Sequence, residues 1–214
     1  MAKRAHSKSV LRDHGMVQCR VRLPVSPHKN MNKKILLIPG WMRSVAYYKK
    51  YEGIDIWKEN IPDEMNIEAD YVVAHSLGSV VALQNWQKFP RTKLILVNPL
   101  VLKRSFWEWM WRWIKFALDE GPRIDKNVGI LKIFSGLKKF YQLSKIDATG
   151  ILKNISANDL VIMRGCRDKF FCDNEASGYL KKNGLSLIEI EEAAHHWNEK
   201  FDIEIDKITK DMVK

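Results

Sequence analysis

The sequence predicts an α/β fold in which a mostly parallel β-sheet is flanked by helices. Short apolar runs have the length of strands and contain few polar residues, which is typical of strands covered on both faces. Segments with helical spacing separate these runs, and this alternation favours parallel strands joined by right-handed crossovers. One long insertion interrupts the alternation, and we expect a helical cap there. The predicted strands cover residues 34–38, 53–57, 71–75, 93–99, 159–168 and 185–190.

The composition is that of one ordinary globular domain with a full core. The 214 residues are 46% hydrophobic, and no apolar run reaches the roughly 18 residues that a membrane-spanning helix needs. The first residues lack the apolar core of a secretion signal. The three cysteines, Cys19, Cys166 and Cys172, do not have zinc-site spacing and are expected to be reduced thiols. We therefore expect a cytoplasmic protein without a transmembrane segment.

The net charge of +11 is concentrated near the start of the chain. Residues 1–34 hold nine Lys or Arg against Asp13 alone, a net charge of +8 that leaves +3 for the rest. Regular patterning begins only at Lys33, so we expect a flexible basic leader, native or not, at 1–32 and one domain at 33–214. A basic tail attracts acidic partners. The leader has few aromatic residues to stack on bases and no recognisable nucleic-acid module, so no nucleic-acid partner is expected.

The first part of the domain is predicted to hold two strands and little helix. Residues 34–38 form a continuous apolar run that Pro39 and Gly40 close, as expected for a buried strand followed by a loop. Residues 53–57 predict a short strand, and 61–69 predict one or two helical turns. The distance from Gly40 to Ser76 is small, so one crossover is expected to be trimmed.

A serine stands at the turn between the next strand and a helix. Residues 71–75 are an apolar run that ends at Ser76, and a helix-patterned segment follows and stops at Pro90. Ala74 and Gly78 are small enough for a tight turn, which would leave the Ser76 hydroxyl at its apex. The helix is predicted to pack under the sheet through an apolar stripe of Leu77, Val80, Val81, Trp86 and Phe89.

The alternation of strands and helices stops after the strand at 93–99, and we place a cap insertion at about 103–154. Residues 106–116 are apolar nearly all round, with Trp at every second position, a spacing that suits a strand. The helical spacing of the other large residues favours a cap helix instead, with 130–143 as a second helix. Three roles stay open for the first helix: packing on the body, lining an apolar acyl or aromatic substrate, and entering a membrane interface beside flanking basic residues.

After the cap, the strand pattern returns at 159–168 and ends with Asp168, three residues past Gly165. Asp173 is expected to cap a helix at 174–182, which Gly184 ends. The final strand at 185–190 is followed by a loop with two adjacent histidines. The closing helix is predicted from a stripe of Phe201, Ile205, Ile208 and Met212.

Two segments carry a resemblance to a known family. The turn at Ser76 resembles the nucleophile elbow of α/β-hydrolases, G-x-S-x-G, with Ala74 in the first glycine position. The Gly-x-x-Asp sequence that ends at Asp168 resembles the one that carries the acid of the family's triad. His195 lies in the loop after the last strand, where the family places its base, and the order Ser, Asp, His is the family's own.

The resemblance implies a catalytic triad of Ser76 as nucleophile, Asp168 as acid and His195 as base. His196 is the alternative base. A small residue, here Ala194, commonly precedes the base in this family and favours His195. A tryptophan commonly follows the base, which favours His196 instead. Neither a metal nor a cofactor is expected.

The resemblance also implies an oxyanion hole formed by the backbone N–H groups of Trp41 and Leu77. Trp41 follows Pro39 and Gly40, which stand where the family commonly has His-Gly. The substrate pocket is expected to be lined by His75, Met42, Trp107 and Trp111.

These features predict a small, carboxylesterase-like serine hydrolase that cleaves carboxylic ester or thioester bonds of a small-molecule ester or acyl substrate. One alternative is an esterase or thioesterase directed to an acidic acyl carrier protein, because a basic surface docks acidic partners. Another is a non-catalytic binding domain on the same fold.

Overall fold

The computed structural model describes residues 33–56, 68–89, 91–121, 125–126, 128 and 132–210. The leader predicted at 1–32 lies outside the described residues, as do most of the helical segment predicted at 61–69 and Met212.

Six strands form one sheet in the described part of the chain, and every pairing between neighbours is parallel. The order across the sheet is β2-β1-β3-β4-β5-β6, with β3 and β4 at its centre. The predicted fold class is confirmed. The strands are β1 (Ile35–Ile38), β2 (Glu52–Gly53), β3 (Tyr71–His75), β4 (Lys93–Val97), β5 (Leu160–Gly165) and β6 (Leu187–Ile190).

The α-helices of the described ranges connect and cover these strands. They are α1 (Leu77–Gln84), α2 (Phe106–Asp119), α3 (Lys132–Leu143), α4 (Ala148–Leu152), α5 (Asn174–Lys182) and α6 (Glu199–Lys210). Helices α2, α3 and α4 lie between β4 and β5, where the sequence predicted the cap. The N-terminal capping residue of α5 is also as predicted, because the Asp173 side chain accepts a hydrogen bond from Ala176 N at 3.0 Å.

The strand predicted at 53–57 is wrong in its bounds, since β2 is only Glu52–Gly53. A side chain at Gly53 would place its Cβ 2.1 Å from the Leu37 carbonyl oxygen of β1, so only glycine allows this close pairing. The chain then leaves the ladder, and Ile54 and Ile56 turn their side chains into the core.

Alternate residues of the central strands face opposite sides of the sheet, and each side has its own apolar cluster. One cluster packs against α1 and α5 and includes Leu36, Val72, Leu94, Ile162 and Leu180. The other packs against α6 and includes Leu37, Val73, Ile95, Phe201 and Ile205. Helices therefore cover both faces of the sheet. Within the described ranges, no helix is both long and apolar enough to cross a membrane.

Candidate active site

Ser76 stands at a sharp turn between β3 and α1, at the carboxyl end of the sheet. Its backbone has φ +52° and ψ −124°, a conformation that L-residues rarely adopt. A Cβ at Gly78 would lie 2.5 Å from the carbonyl oxygens of both Ile38 and Pro39, so the turn needs glycine there. The tight strand–turn–helix predicted from the sequence is thus present, with Ser76 at its apex.

Three side chains from distant parts of the chain meet at this turn. Ser76 Oγ lies 2.8 Å from His195 Nε2, and His195 Nδ1 lies 2.7 Å from Asp168 Oδ2. All three residues are buried. With the carboxyl group ionised, His195 Nδ1–H donates to Asp168, and Nε2 is left to accept from the Ser76 hydroxyl. This arrangement lets an imidazole take a proton from a serine.

Asp168 is held as a carboxylate by its surroundings. Burial alone would raise the pKa of its carboxyl group, but His195 and the backbone N–H groups of Phe171 and Cys172 outweigh burial and lower the pKa to about 2. The N–H groups of Phe170 and Phe171 donate to Oδ1 at 3.1 and 3.0 Å, and that of Cys172 donates to Oδ2 at 3.0 Å. The carboxylate is therefore ionised and fixed in position near neutral pH.

The loop that carries His195 is tied to the ends of two strands by Asn98, which follows β4. Its side-chain amide donates to the carbonyl oxygens of Ala194 and His195 at 2.9 and 3.0 Å. Its Oδ1 accepts from Gly165 N, at the end of β5, at 2.8 Å. Asn98 is fully buried and has φ +45°, a conformation that Asn tolerates better than most residues. Asn98 therefore positions the imidazole of His195.

A second buried hydrogen-bond network joins the loop after β1 to the carbonyl group of His195, which also accepts from Asn98. Gly40 N–H donates to Tyr48 Oη at 2.9 Å, and Tyr48 Oη lies 2.8 Å from His75 Nδ1. His75 Nε2 lies 2.9 Å from the His195 carbonyl oxygen. The directions agree if Nε2 of a neutral His75 carries the proton and Tyr48 donates to Nδ1. His75 thus links the loop at Gly40, the turn at Ser76 and the loop at His195.

Of the two residues predicted for the oxyanion hole, Leu77 directly follows Ser76 and Trp41 lies in the turn after β1. Leu77 is the first residue of α1, so its N–H group has no acceptor within the helix. Trp41 follows Gly40 in the turn after β1, and its ring packs between two cap residues, at 4.8 Å from Phe140 and 5.1 Å from Trp113. Trp41 and Leu77 both line the cavity that opens at Ser76.

This cavity has a volume of about 50 Å³ and lies between the sheet and the cap. Trp113 and Phe116 of α2 and Phe140 of α3 form the cap side of its wall. Leu100 and Phe171 belong to the body. The space next to the Ser76 hydroxyl is therefore small and mostly apolar.

Three of the four predicted pocket residues do not line this cavity. Trp107 and Trp111 are 78% and 58% exposed, because a residue two positions along a helix points to the other side. Trp109 and Trp113 therefore face inward, whereas Trp107 and Trp111 face outward. Met42 is buried, with its sulfur close to Gly136 of α3. Of the four residues, His75 is the one that lines the cavity.

The alternative base, His196, also lines the cavity but lies elsewhere in it. Its ring centre is 4.8 Å from that of Phe116 in α2, and its Nδ1 is 3.5 Å from Arg43 Nη2. Between the two histidines, His195 is the one that contacts both Ser76 and Asp168.

Sequence reasoning missed the positioning residues Tyr48 and Asn98, and Arg43 in the cavity wall. Tyr48 and Asn98 act through hydrogen bonds that cross 27 and 97 residues of the chain, and no local pattern signals such pairs. The inward position of Trp113 and Phe116 had a usable signal, since both follow Trp109 at helical spacing.

No protein-family model matches the chain, and no curated protein matches its sequence. Among solved structures, N-formylmaleamic acid deformylase from Pseudomonas putida S16 is similar, with a TM-score of 0.54 and 16% identity over 82% of this chain and 92% of that one. An α/β-hydrolase enzyme from a Medee basin deep-sea metagenome library has a TM-score of 0.48 and 15% identity, covering 86% and 89%. A thermophilic esterase from Thermogutta terrifontis has a TM-score of 0.47 and 10% identity, covering 85% and 89%.

Sequence identities this low support a shared fold and nothing further. The deformylase, with a TM-score of 0.54, is the comparison that supports it here. In this chain the fold consists of a parallel sheet with helices on both faces and a strand–serine–helix turn at the end of β3. The chain has the α/β-hydrolase fold.

Proposed function

We propose that the protein is a serine hydrolase that cleaves carboxylic ester or thioester bonds through an acyl-enzyme intermediate. The observation that carries the proposal is the continuous run of hydrogen-bonding distances from Ser76 Oγ through His195 to Asp168. A serine needs such a base to become a nucleophile. The backbone strain at Ser76 supports the same role, since strained residues concentrate at functional sites.

In the proposed mechanism, His195 Nε2 takes the hydroxyl proton as Ser76 Oγ forms a bond to the acyl carbon. Asp168 holds the imidazole in orientation and stabilises its charged form. The N–H groups of Trp41 and Leu77 donate to the oxygen that becomes negative. His195 then returns the proton to the leaving alcohol or thiol as its bond to the acyl carbon breaks. A water molecule cleaves the acyl-enzyme by the same steps.

The cavity supports a small acyl group as the part of the substrate nearest Ser76. A volume of about 50 Å³ is well below the range of typical drug-sized ligand pockets. Its wall is largely aromatic and aliphatic, so an uncharged short acyl chain fits better than a long or charged one. We expect short-chain esters to be cleaved faster than long-chain esters.

Labelling with a fluorophosphonate probe tests the nucleophile. The probe is expected to label the wild-type chain, and Ser76→Ala should abolish labelling. Ser186→Ala is the matched control, because Ser186 is exposed in the loop before β6 and should leave labelling unchanged. A panel of p-nitrophenyl esters from acetate to octanoate then measures turnover and chain-length preference.

A folded wild-type chain that takes no label and cleaves no ester would overturn the proposal in favour of a non-catalytic binding domain. Labelling that survives Ser76→Ala would also overturn it, because another residue would then be the nucleophile. Circular dichroism of each variant shows whether the fold is retained.

A further inference from the structure

The surface of the cap carries most of the exposed apolar side chains. Of the seven large hydrophobic side chains that are exposed among the described residues, six lie on α2 and α3. We call these six residues the cap face: Trp107, Trp111, Ile114, Leu118, Phe134 and Tyr141. The seventh, Ile203, lies on α6. A contiguous exposed apolar surface of this kind marks an interaction site in a soluble domain.

Four members of the cap face form a narrow stripe along α2. Trp107, Trp111, Ile114 and Leu118 are separated by four, three and four residues, so at about 100° per residue they lie within about 60° of one another. The stripe is about 16 Å long at the helical rise of about 1.5 Å per residue. Trp107 and Leu118, at its two ends, are 78% and 83% exposed. Helix α2 thus has a second apolar side besides its buried one.

Helix α3 extends the same surface. The ring of Phe106 contacts the rings of Trp107 and Tyr141, each at 5.3 Å between centres, and so joins the two helices. Phe134, which lies seven residues or about two helical turns before Tyr141, is 77% exposed. The cap face is therefore continuous from α2 to α3 at this contact.

Cationic side chains accompany these aromatic rings. Lys115 Nζ lies 5.4 Å from the ring centre of Trp111, and Lys145 Nζ lies 4.1 Å from that of Tyr141. Lys103 and Lys138 are also exposed on the cap. Long basic side chains beside Trp and Tyr are typical of surfaces that meet lipid headgroups, because the ammonium group reaches the phosphates while the ring enters the apolar boundary.

The net charge also differs between the cap segment and the rest of the domain. Residues 103–154 hold eleven Lys or Arg and five Asp or Glu, a net charge of +6. Residues 35–102 are neutral overall, with seven of each, and residues 155–214 hold nine bases and twelve acids, a net charge of −3. The body of the domain would therefore be repelled by an anionic surface that attracts the cap.

We propose that the cap face binds the interface of an anionic lipid bilayer. An exposed stripe of Trp, Ile and Leu flanked by Lys is what such an interface recognises, and charge complementarity selects an anionic one. An acidic protein would match the charge, but it would not explain two exposed Trp and a Leu that protrude on one helix side. The proposal does not depend on the activity of Ser76.

The position of the cap face gives the binding a consequence. The opposite side of α2 carries Trp113 and Phe116, which line the cavity at Ser76. One helix, with a diameter of about 10 Å, therefore separates the bound surface from the proposed catalytic site. Esters that partition into the bilayer would be concentrated close to the cavity.

The test is co-sedimentation of the full-length chain with vesicles of phosphatidylglycerol and phosphatidylcholine, compared with vesicles of phosphatidylcholine alone. We expect binding to the anionic vesicles only, with loss of binding in about 0.5 M NaCl. The double variant Trp107→Ser/Trp111→Ser should lower the partition coefficient at least about tenfold. Quenching of tryptophan fluorescence by spin-labelled lipid acyl chains should fall in the same variant.

The matched control is Ile203→Ser, which removes an exposed apolar side chain from α6 and should bind within about twofold of the wild type. This control matters because the basic residues of 1–32 also attract anionic lipid, and they are present in every variant. Equal binding by the double Trp variant would overturn the proposal, since the cap face would then take no part. Absence of vesicle binding by the wild type would overturn it too. The proposal would then be wrong even if the double Trp variant lost self-association or lost binding to an acidic carrier protein, because either result would indicate a different partner for the cap face.

Fluorophosphonate labelling of the same variants separates this proposal from the proposed function. A double Trp variant that is labelled normally but no longer binds vesicles supports the membrane role. A wild type that binds vesicles through Trp107 and Trp111 without being labelled would keep the membrane role and overturn the hydrolase.

Discussion

Ser76 is held in its strained backbone conformation by hydrogen bonds on both sides. Its N–H group donates to the Val97 carbonyl oxygen at 2.9 Å, and its own carbonyl accepts from Ser79 Oγ at 2.5 Å. A residue in such a conformation costs about 1–3 kcal/mol, which the surrounding structure must offset. The strain keeps the hydroxyl at the apex of the turn, within reach of His195.

Tyr48 is a positioning residue whose hydroxyl fixes the loop that carries Trp41. Tyr48→Phe removes the acceptor of Gly40 N–H and the donor to His75 Nδ1. The loop can then shift by a fraction of an ångström, which would weaken the proposed oxyanion interaction more in the transition state than in the ground state. We expect kcat to fall about tenfold while KM stays within about twofold. Steady-state kinetics with p-nitrophenyl acetate measures both.

The matched control for Tyr48→Phe is Tyr47→Phe. Tyr47 is the preceding residue, and its ring packs against Tyr48 at 5.2 Å and under the Arg43 guanidinium. Its kcat and KM should match the wild type. An equal loss in the two variants would show that the fall in kcat is not specific to the Tyr48 hydroxyl.

His75 gives the stability of the protein a dependence on pH. Burial is the main cause that lowers the pKa of His75 well below 6.5, and the charges of His195 and Arg43 lower it further. The unfolded chain has an ordinary histidine pKa of about 6.5, so it binds more protons than the folded chain below that pH. The stability contributed by neutral His75 is therefore present above about pH 6.5 and is lost as the pH falls.

We expect His75→Gln to remove this loss. Between about pH 7.5 and about pH 5.5 the free energy of unfolding of the wild type should fall by about 1 kcal/mol more than that of the variant. Urea unfolding at the two pH values measures the difference. Parallel curves for the two proteins would contradict the expectation, as would a His75 imidazole resonance that titrates over this range in the folded protein.

At the scale of helices and strands, replacing glycine by alanine is expected to have opposite effects on stability at two positions. Gly78→Ala would place a Cβ 2.5 Å from two backbone carbonyl oxygens at the end of β1, where neither strand nor helix can move freely. Gly178→Ala lies within α5, where a Cβ meets nothing within 4 Å. We expect Gly78→Ala to destabilise the fold by about 1–3 kcal/mol. Gly178→Ala should stabilise it by about 0.5–1 kcal/mol, because alanine favours helix.

Thermal unfolding followed by circular dichroism measures both changes, and the two variants serve as controls for each other. A stabilised Gly78→Ala variant would mean that β1 and α1 do not approach as closely at Ser76 as this geometry requires. The turn would then lose the steric reason for its glycine.

The elements show which parts of the molecule a sequence can predict. Buried strands and the N-terminal capping residue of α5, Asp173, are recognised from local sequence patterns, so they could be predicted without coordinates. Trp at every second position left α2 ambiguous between helix and strand, and its inward and outward faces were assigned wrongly for Trp107 and Trp111. Side chains on a helix separate by about 100° per residue, so a strand-like spacing divides them between two faces.

The candidate site was predictable to a smaller extent. Motifs at Ser76, Asp168 and His195 are short and lie at strand ends, and the parallel sheet brings strand ends together. Asn98 and Tyr48 are single residues with no pattern around them, and their role appears only when distant loops are adjacent in space. The same holds for the cavity wall, which is assembled from seven separate segments of the chain.

At the scale of the whole molecule, the cap and the body form one unit around the cavity. Arg104, before α2, is buried and its Nη2 contacts Asp173 at 3.0 Å and Glu175 at 2.7 Å at the start of α5. Arg112 Nη1 of α2 reaches the same Asp173 carboxylate at 2.7 Å. The Arg104–Asp173 pair is largely buried and hydrogen-bonded, and ion pairs of this kind fix geometry. The cap therefore holds a defined position over Ser76, and its side chains set the depth of the cavity.

Trp113 is the cap residue whose removal should deepen the cavity most directly. Its ring lines the cavity and packs edge-on against Trp41 at 5.1 Å, so Trp113→Ala would open space beside the proposed oxyanion hole. We expect the variant to move the preferred p-nitrophenyl ester from acetate or butyrate towards hexanoate or octanoate. Relative kcat/KM for the longest ester should rise about tenfold, because each further buried methylene contributes about 0.8 kcal/mol to binding. Lost packing should lower the stability of the variant by about 3 kcal/mol.

The control for Trp113→Ala is Trp111→Ala, which removes the same side chain from the exposed side of the same helix. Its ester preference should equal that of the wild type, because Trp111 does not line the cavity. A shift towards long esters in Trp111→Ala would mean that the acyl chain runs over the outer surface of the cap. An unchanged preference in a folded Trp113→Ala variant would mean that the acyl group does not enter this cavity, and the cap would then not decide which ester reaches Ser76.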